Sequence, residues 1–203
     1  MDFMKGLRSP FLWFLLCLVV VAGLAAIGPE EKTLGPNVRI VYLHGAWVLA
    51  AEACLASAAF SGLVGILSGR KRFHDWSQAL GRSGIIFWVT YLPLSLWAMQ
   101  ANWNGLFLAE PRFRVGFVFA LTGILLQVGL ALLGRPVLTS LGNVLFFTAL
   151  LFALRQAGYV MHPPPSPIFE SGIPGLQIYF LGLIVLVMSA AYFLTRWFLH
   201  KQS

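Results

Sequence analysis

Long apolar runs separated by short polar segments dominate the chain. A helix needs about 20 residues to cross the hydrocarbon core of a bilayer. Six runs approach or exceed that length, and they lie at residues 9–27, 39–68, 83–103, 114–134, 137–160 and 173–198. The second is longer than a span requires, which predicts a tilted helix or one that continues past the lipid headgroups. The pattern therefore predicts an all-α polytopic membrane protein, a single six-helix bundle over residues 1–203.

Composition supports the same class. Hydrophobic residues make up 59% of the chain and charged residues 10%, and the mean hydropathy is +0.81. These values are far from those of a soluble globular domain. Lys5 and Arg8 precede the first run in the manner of a signal peptide, but that run is too long for an ordinary signal sequence. We therefore expect it to be retained as a membrane helix.

The positions of lysine and arginine predict the orientation of the bundle. If the N-terminus is cytoplasmic, six spans place nine of the 14 basic residues on the cytoplasmic side, namely Lys5, Arg8, Arg70, Lys71, Arg72, Arg82, Arg135, Arg196 and Lys201. The external side receives five, namely Lys32, Arg39, Arg112, Arg114 and Arg155. The strongest signal is the basic cluster in a connection predicted at residues 69–82. Both termini are then cytoplasmic, in a multi-pass protein of the cell inner membrane.

The net charge of +7 and the two cysteines each exclude a class of partner or chemistry. A basic cytoplasmic face beside anionic membrane lipids accounts for the charge, so we expect no nucleic acid partner. Cys17 and Cys54 lie inside apolar runs and belong to no CxxC or CxxCH motif. The chain is thus expected to attach no heme covalently and to carry no thiol redox motif.

Two histidines occupy comparable positions on separate helices. His44 lies near the start of the second run and His162 just beyond the end of the fifth, so the predicted topology places both on the external side. Neutral imidazoles from two helices are suitable axial ligands for a heme iron in apolar surroundings. Trp103 and Phe107, in the external connection between them, offer flat surfaces against which a porphyrin can stack. These residues predict a site for non-covalent heme b.

Heme propionates require cationic partners, and arginine suits carboxylates because its guanidinium donates two parallel hydrogen bonds. The candidates on the external side are Arg39, Arg112, Arg114 and Arg155. Arg155 lies seven residues before His162, which places both on nearly the same helical face if the fifth helix runs that far.

Several of these residues resemble the CcmC-like heme-handling proteins of cytochrome c maturation, which carry a tryptophan-rich WWD segment. Arg39-Ile-Val-Tyr-Leu-His44, followed by Trp47, is similar to the start of their second helix, where an arginine precedes a heme-ligating histidine by five positions. Trp97, Trp103 and the run Glu110-Pro111-Arg112 resemble the WWD segment in degenerate form. Arg155 and His162-Pro-Pro-Pro-Ser-Pro-Ile resemble the end of the fifth helix and the loop that follows it.

The resemblance implies a function without catalysis. A member of this family binds heme at the external surface of the membrane and delivers it for cytochrome c assembly, so we expect the chain not to be an enzyme. The implied partners are a periplasmic heme chaperone and the subunits of an ABC transporter.

Two alternative functions are compatible with the same sequence features. A divergent relative would serve as an integral structural, heme-binding or pigment-binding subunit of a larger respiratory or photosynthetic complex. A small b-type cytochrome that exchanges electrons with quinone would need histidine pairs at membrane depth, and the sequence provides no such pair.

Glu52 is the acidic residue that lies deepest within an apolar run. Acids at such depth usually face a bundle interior or a cavity. Two interpretations remain open: a neutral acid that joins two helices, or a group in a proton relay or quinone site. Eight residues after His44 correspond to about 80° of helical rotation, so the sequence does not place both on one face. Possible partners in the sequence are Gln100, Gln127, Asn143, Thr90 and Thr148.

Most of the other aromatic residues at helix ends are expected to be anchors at the membrane interface. This interpretation covers Trp13, Trp47, Trp76, Trp88, Trp197, Tyr42 and Tyr159.

Overall fold

The computed structural model describes residues 9–160 and 168–202, which form six helices. They are α1 (Pro10–Ala26), α2 (Val38–Ser68), α3 (Lys71–Trp103), α4 (Pro111–Leu133), α5 (Pro136–Gln156) and α6 (Pro174–Gln202). Helices α2 to α6 are long and apolar enough to cross a membrane, whereas α1 has 17 residues and is shorter. The described residues contain no β-strand, only an isolated bridge between Glu31 and Gly35. The chain is therefore a multi-pass helical membrane protein.

Proline and glycine mark the helix boundaries. Proline is the first residue of α1, α4, α5 and α6, where its missing N–H removes no helical hydrogen bond. Gly69 and Gly134 end α2 and α4 with φ of +66° and +60°, a left-handed conformation that costs glycine little. Asn104 ends α3 in the same region, at φ +52°.

The connection predicted at residues 69–82 is wrong, because α3 begins at Lys71 and only Gly69 and Arg70 separate it from α2. The first turns of α3 are too polar to appear in an apolar run. They are nevertheless amphipathic, and they bury His74, Ser77 and Gly81 against the neighbouring helices.

The predicted end of the fifth helix at residue 160 is also wrong. Helix α5 ends at Gln156, and Ala157 is extended with ψ +119°. The fifth helix therefore stops short of His162, so the condition for Arg155 and His162 to share a helical face is not met.

Helix α2 lies at the centre of the bundle, where it packs against α1, α3, α5 and α6. Small residues make this possible, since Ala46, Ala50 and Ala58 are completely buried and allow neighbouring backbones to approach closely. Helix α4, in contrast, packs mainly against α3 and α5 at the edge.

The bundle has two chemically different ends. The His44 end contains the start of α2, α4 and α6 and the end of α1, α3 and α5. The opposite end, which we call the His74 end, contains a polar network that joins α2, α3, α4 and α5. Its members are His74, Ser77, Gln127, Ser140 and Asn143, together with the carbonyl of Ala58.

Asn143 makes the largest number of contacts in this network. Its Nδ2 donates to the carbonyl oxygen of Ser77 at 2.9 Å and lies 3.0 Å from the Ser77 hydroxyl, and its Oδ1 accepts from Gln127 Nε2 at 2.8 Å. The imidazole of His74 lies 2.7 Å from the hydroxyl of Ser140. Polar side chains buried between helices are satisfied here by one another, so the network holds four helices in register.

A turn at the His44 end should respond to pH. The backbone N–H groups of Leu34 and Thr33 donate to the Glu31 carboxylate and hold the pKa of Glu31 below its usual value. The ionised carboxylate therefore stabilises the turn at pH values above the ordinary pKa of glutamate. This stabilisation is lost as the pH falls through the lowered pKa of Glu31. We expect the Thr33 and Leu34 amides to exchange hydrogen faster as the pH falls through that range, relative to α2 amides. In Glu31→Gln these two amides should already exchange fast at neutral pH. Equal protection of the amides in the wild-type protein and in Glu31→Gln would contradict the prediction.

Candidate binding site

A cavity opens at the His44 end between four helices. Helices α2, α3, α4 and α5 contribute to its wall, and the lining residues are His44, Val48, Glu52, Trp88, Tyr91, Ser95, Arg112, Phe113 and Leu154. The empty space inside it, including the open mouth, is about 410 Å³. The enclosed part of this space is much smaller, so the cavity is small. It combines an imidazole, a carboxyl group and a guanidinium group with apolar walls.

Helix α2 provides one wall of the cavity through His44, Val48 and Glu52, which follow one another at intervals of four residues. The imidazole ring of His44 lies 5.8 Å from the ring of Tyr91. The sequence did not place His44 and Glu52 on one face, yet both reach this cavity. Because the cavity extends along α2 for two turns, an angular offset between the two residues does not separate them.

Helix α3 provides the opposite wall, in which Trp88 and Tyr91 pack edge to face at 4.9 Å. Trp88 donates its indole N–H to the carbonyl oxygen of Gly116 at 3.1 Å. The Tyr91 hydroxyl occupies the space where a side chain at position 116 would begin. The glycine of α4 thus allows both aromatic residues to approach the backbone of that helix.

Arg112 enters the cavity from the first turn of α4. Its Nη2 donates to the Tyr159 hydroxyl, and the centre of the Tyr159 ring lies 4.2 Å from the guanidinium carbon. Its Nε is buried and has no hydrogen-bond partner among the described residues. Tyr159 therefore fixes the side chain, while the N–H of Nε is not used by any described residue.

The electrostatic partner of Glu52 across the cavity is Arg112. The pair is not in direct contact, since the ion pairs that the described residues form are Arg39 with Glu30 and Lys71 with Asp75. Four of the partners suggested by the sequence bond elsewhere. Gln127 and Asn143 bond to each other, Thr90 bonds to Trp47 and Ile86, and Thr148 bonds to Val144.

Other predicted site residues lie outside the cavity. Arg39 donates to the carbonyl oxygen of Gly28 at 2.9 Å and pairs with Glu30 at 3.1 Å. Arg155 is exposed at the end of α5, although its neighbour Leu154 lines the cavity. Trp103 and Phe107 are half-buried, and neither belongs to the lining.

His162 lies outside the described residues. The preceding part of the chain is attached to the start of α4, because Tyr159 bonds to Arg112 and the Val160 N–H donates to Glu110 Oε1 at 3.4 Å. Glu110 itself is buried. The last residues described before His162 therefore contact the same turn of α4 that carries Arg112 into the cavity.

Several lining residues were not predicted as part of the site. Trp88 was interpreted as a membrane-interface anchor but is 1% exposed. Tyr91 and Ser95 follow it at intervals of three and four residues, a helical spacing that identifies one face of α3. The sequence shows that spacing, but it does not show which helices this face of α3 packs against.

The described residues fit a heme group in part. They offer His44 as one axial ligand and Arg112 as one partner for a carboxylate, in an apolar setting. The small cavity would leave most of a porphyrin outside it, at the mouth. Among the described residues, no three or more metal-ligating side chains lie close enough together to hold a metal ion. Heme does not need such a group, because four porphyrin nitrogens already hold its iron.

The chain was compared with protein-family models, curated proteins and solved structures, and none of them matches it. The assignment of a function therefore depends on the cavity and the residues that form it.

Proposed function

We propose that this protein binds heme b non-covalently at the His44 end and presents it for transfer to an acceptor in cytochrome c biogenesis. The observation that carries the proposal is that one cavity contains both His44 and Arg112. Among the described residues these two provide an imidazole for iron and a cation for a propionate. When bound, heme supplies the iron centre that the acceptor cytochrome needs.

In this proposal His162 is the second axial ligand. It follows Val160 by two residues, and Val160 contacts the turn of α4 that carries Arg112. Trp103 and Phe107 would contribute aromatic surface near the mouth and not within the cavity. Arg39 and Arg155 would have to leave their present positions to reach a propionate, so Arg112 is the preferred partner.

The proposed topology has six spans with both termini in the cytoplasm of a cell with an inner membrane. It places nine of the 14 lysines and arginines on the cytoplasmic side, in agreement with the positive-inside rule. Helix α1 has 17 residues and is about 26 Å long at 1.5 Å per residue, slightly less than a hydrocarbon core of roughly 30 Å. Local thinning of the bilayer compensates for such a difference. The His44 end is then external, where a heme chaperone and transporter subunits would meet it.

The test is a heme titration of the purified protein in mild detergent, with pyridine hemochrome spectra to identify the heme. We expect the wild-type protein to bind one heme b. His44→Ala should weaken binding roughly 100-fold, equivalent to about 2.7 kcal/mol, because an axial bond is lost. His162→Ala should show a comparable loss.

The matched control is His200→Ala, since His200 is exposed near the end of α6, away from the cavity. It should bind heme like the wild-type protein. A wild-type protein that remains colourless after heme supplementation would refute the proposal. Stable co-purification with a large respiratory or photosynthetic complex would instead indicate an integral subunit.

A further inference from the structure

The cavity contains one carboxyl group that neither axial ligation nor propionate binding uses, and it belongs to Glu52. Arg112 faces it across the cavity without forming a direct ion pair. Proton uptake on ligand binding requires Glu52 to be ionised in the ligand-free protein, where its negative charge and the positive charge of Arg112 balance each other. Because the pair lies between membrane-spanning helices, any charge added to the cavity must be compensated there.

A carboxylate ligand changes this balance. Arg112 lines the cavity, and its buried Nε has no partner among the described residues, so we expect its guanidinium to be the donor to a carboxylate that enters the cavity. One guanidinium cannot neutralise two carboxylates, and two negative charges in an apolar cavity repel each other strongly. Glu52 then carries a negative charge without a counterion.

We propose that the cavity binds a carboxylate group on Arg112 and that Glu52 takes up one proton when this group binds. The proton moves from solvent to the Glu52 carboxylate, which becomes a neutral acid, and the net charge of the cavity returns to zero. No bond other than this O–H bond is made or broken. The inference rests on the proposed function where the carboxylate is a heme propionate, while a fatty acid would supply the same chemistry.

The other groups that face Glu52 do not replace it in this role. On α2 the group is His44, on α3 it is the Tyr91 hydroxyl, and on α4 it is Arg112, while α5 contributes only Leu154 among the described lining residues. Tyr91 cannot accept a proton from neutral water, and arginine stays charged. Protonation of His44 would weaken iron binding, so its effect on heme affinity has the opposite sign.

The experiment measures proton uptake in weakly buffered mild detergent with a pH-indicator dye. Three ligands are compared: heme, heme dimethyl ester, in which both carboxylates are esterified, and laurate. We expect about one proton to be taken up per heme bound by the wild-type protein, and none with the ester. Glu52→Gln should bind heme without this uptake, whereas Glu52→Asp, which retains a carboxyl group, should restore it.

Two further readouts test the same point. The affinity of the wild-type protein for heme should rise as the pH falls, by at most about tenfold per pH unit relative to Glu52→Gln, because one proton is coupled to binding. Difference infrared spectra should show a new carboxylic-acid C=O band on heme binding, and this band should be missing in Glu52→Gln.

The outcomes separate this inference from the proposed function. Heme binding with equal proton uptake in the wild-type protein and in Glu52→Gln would overturn the inference and leave the heme site intact. Proton-linked binding of laurate without heme binding would support the carboxylate site and refute the heme function. A wild-type protein that takes up no proton with either carboxylate ligand would overturn the inference.

Discussion

Replacing Gly116 by alanine is expected to destabilise the bundle by about 2 kcal/mol, through overpacking at the contact between α3 and α4. A Cβ atom at this position would overlap the hydroxyl of Tyr91 and lie 2.8 Å from its Cζ. The ring would have to move away from α4, and the hydrogen bond from Trp88 to the Gly116 carbonyl would lengthen. Alanine is the better helix former by about 1 kcal/mol, so the steric effect must exceed this gain.

Gly129→Ala is the matched control for this substitution. Gly129 lies in the same helix, and a Cβ there would meet nothing within 4 Å. We expect it to be neutral or slightly stabilising when unfolding is followed in mixed micelles of a mild detergent and dodecyl sulfate. Tyr91→Phe should partly rescue Gly116→Ala, because it removes the overlapping oxygen. Equal stabilities for the two alanine variants would show that Tyr91 does not pack against Gly116.

The substitution also tests how the cavity is built. Tyr91 lines it opposite His44, so a displaced ring changes the space above Glu52. Heme affinity should therefore fall in Gly116→Ala and remain unchanged in Gly129→Ala. A loss of stability without a loss of affinity would place the heme elsewhere.

The second large effect is expected at the His74 end. Asn143→Ala should destabilise the protein by about 2–3 kcal/mol, because it leaves Gln127 and the Ser77 carbonyl without their partner in a buried site. Interhelical hydrogen bonds in membranes contribute roughly 0.6 kcal/mol each on average, and this side chain makes several. Gly81→Ala should act on the same network from α3, since a Cβ there would lie 2.8 Å from the Asn143 amide.

Thr148→Val provides the control within α5. The Thr148 hydroxyl is exposed and, among the described residues, bonds only to the Val144 carbonyl of its own helix, so its removal should change stability by less than about 0.5 kcal/mol. Reversible unfolding in mixed micelles measures all three variants. If Asn143→Ala were as mild as Thr148→Val, the polar network would not hold the helices in register. Heme binding should change little in folded Asn143→Ala, because the network lies at the opposite end from His44.

Much of the fold was predictable because it depends on local properties of the chain. Apolar runs identified the six helices, and proline and glycine residues lie at many helix boundaries. The extent of α3 was missed because its first turns carry Arg72, His74 and Asp75 and have no apolar run. The burial of His74 in these turns depends on Gly65 and Ser140 of other helices, which hydropathy along the chain cannot show.

Only part of the site was predictable. His44, Arg112 and Glu52 were recognised individually, because an imidazole near a helix end, an external arginine and an acid within an apolar run are each unusual. The sequence favours Arg39 as a partner for a heme propionate, yet its side chain bonds to Glu30 and Gly28. A short-range partner of this kind competes with any ligand, and the sequence did not indicate which would prevail.

The sequence by itself determined the class of the protein. In lipid, the backbone N–H and C=O groups of each apolar run must hydrogen-bond to one another, and a helix allows this within a single segment. The sequence also supplied the many small residues of α2, which permit the close packing of that helix against several neighbours. The tertiary structure alone decided that His44, Glu52, Tyr91 and Arg112 share one cavity. Such convergence depends on the rotation and relative height of α2, α3 and α4. These are set by contacts between residues distant in the chain, such as Tyr91 with Gly116, and no local pattern encodes them.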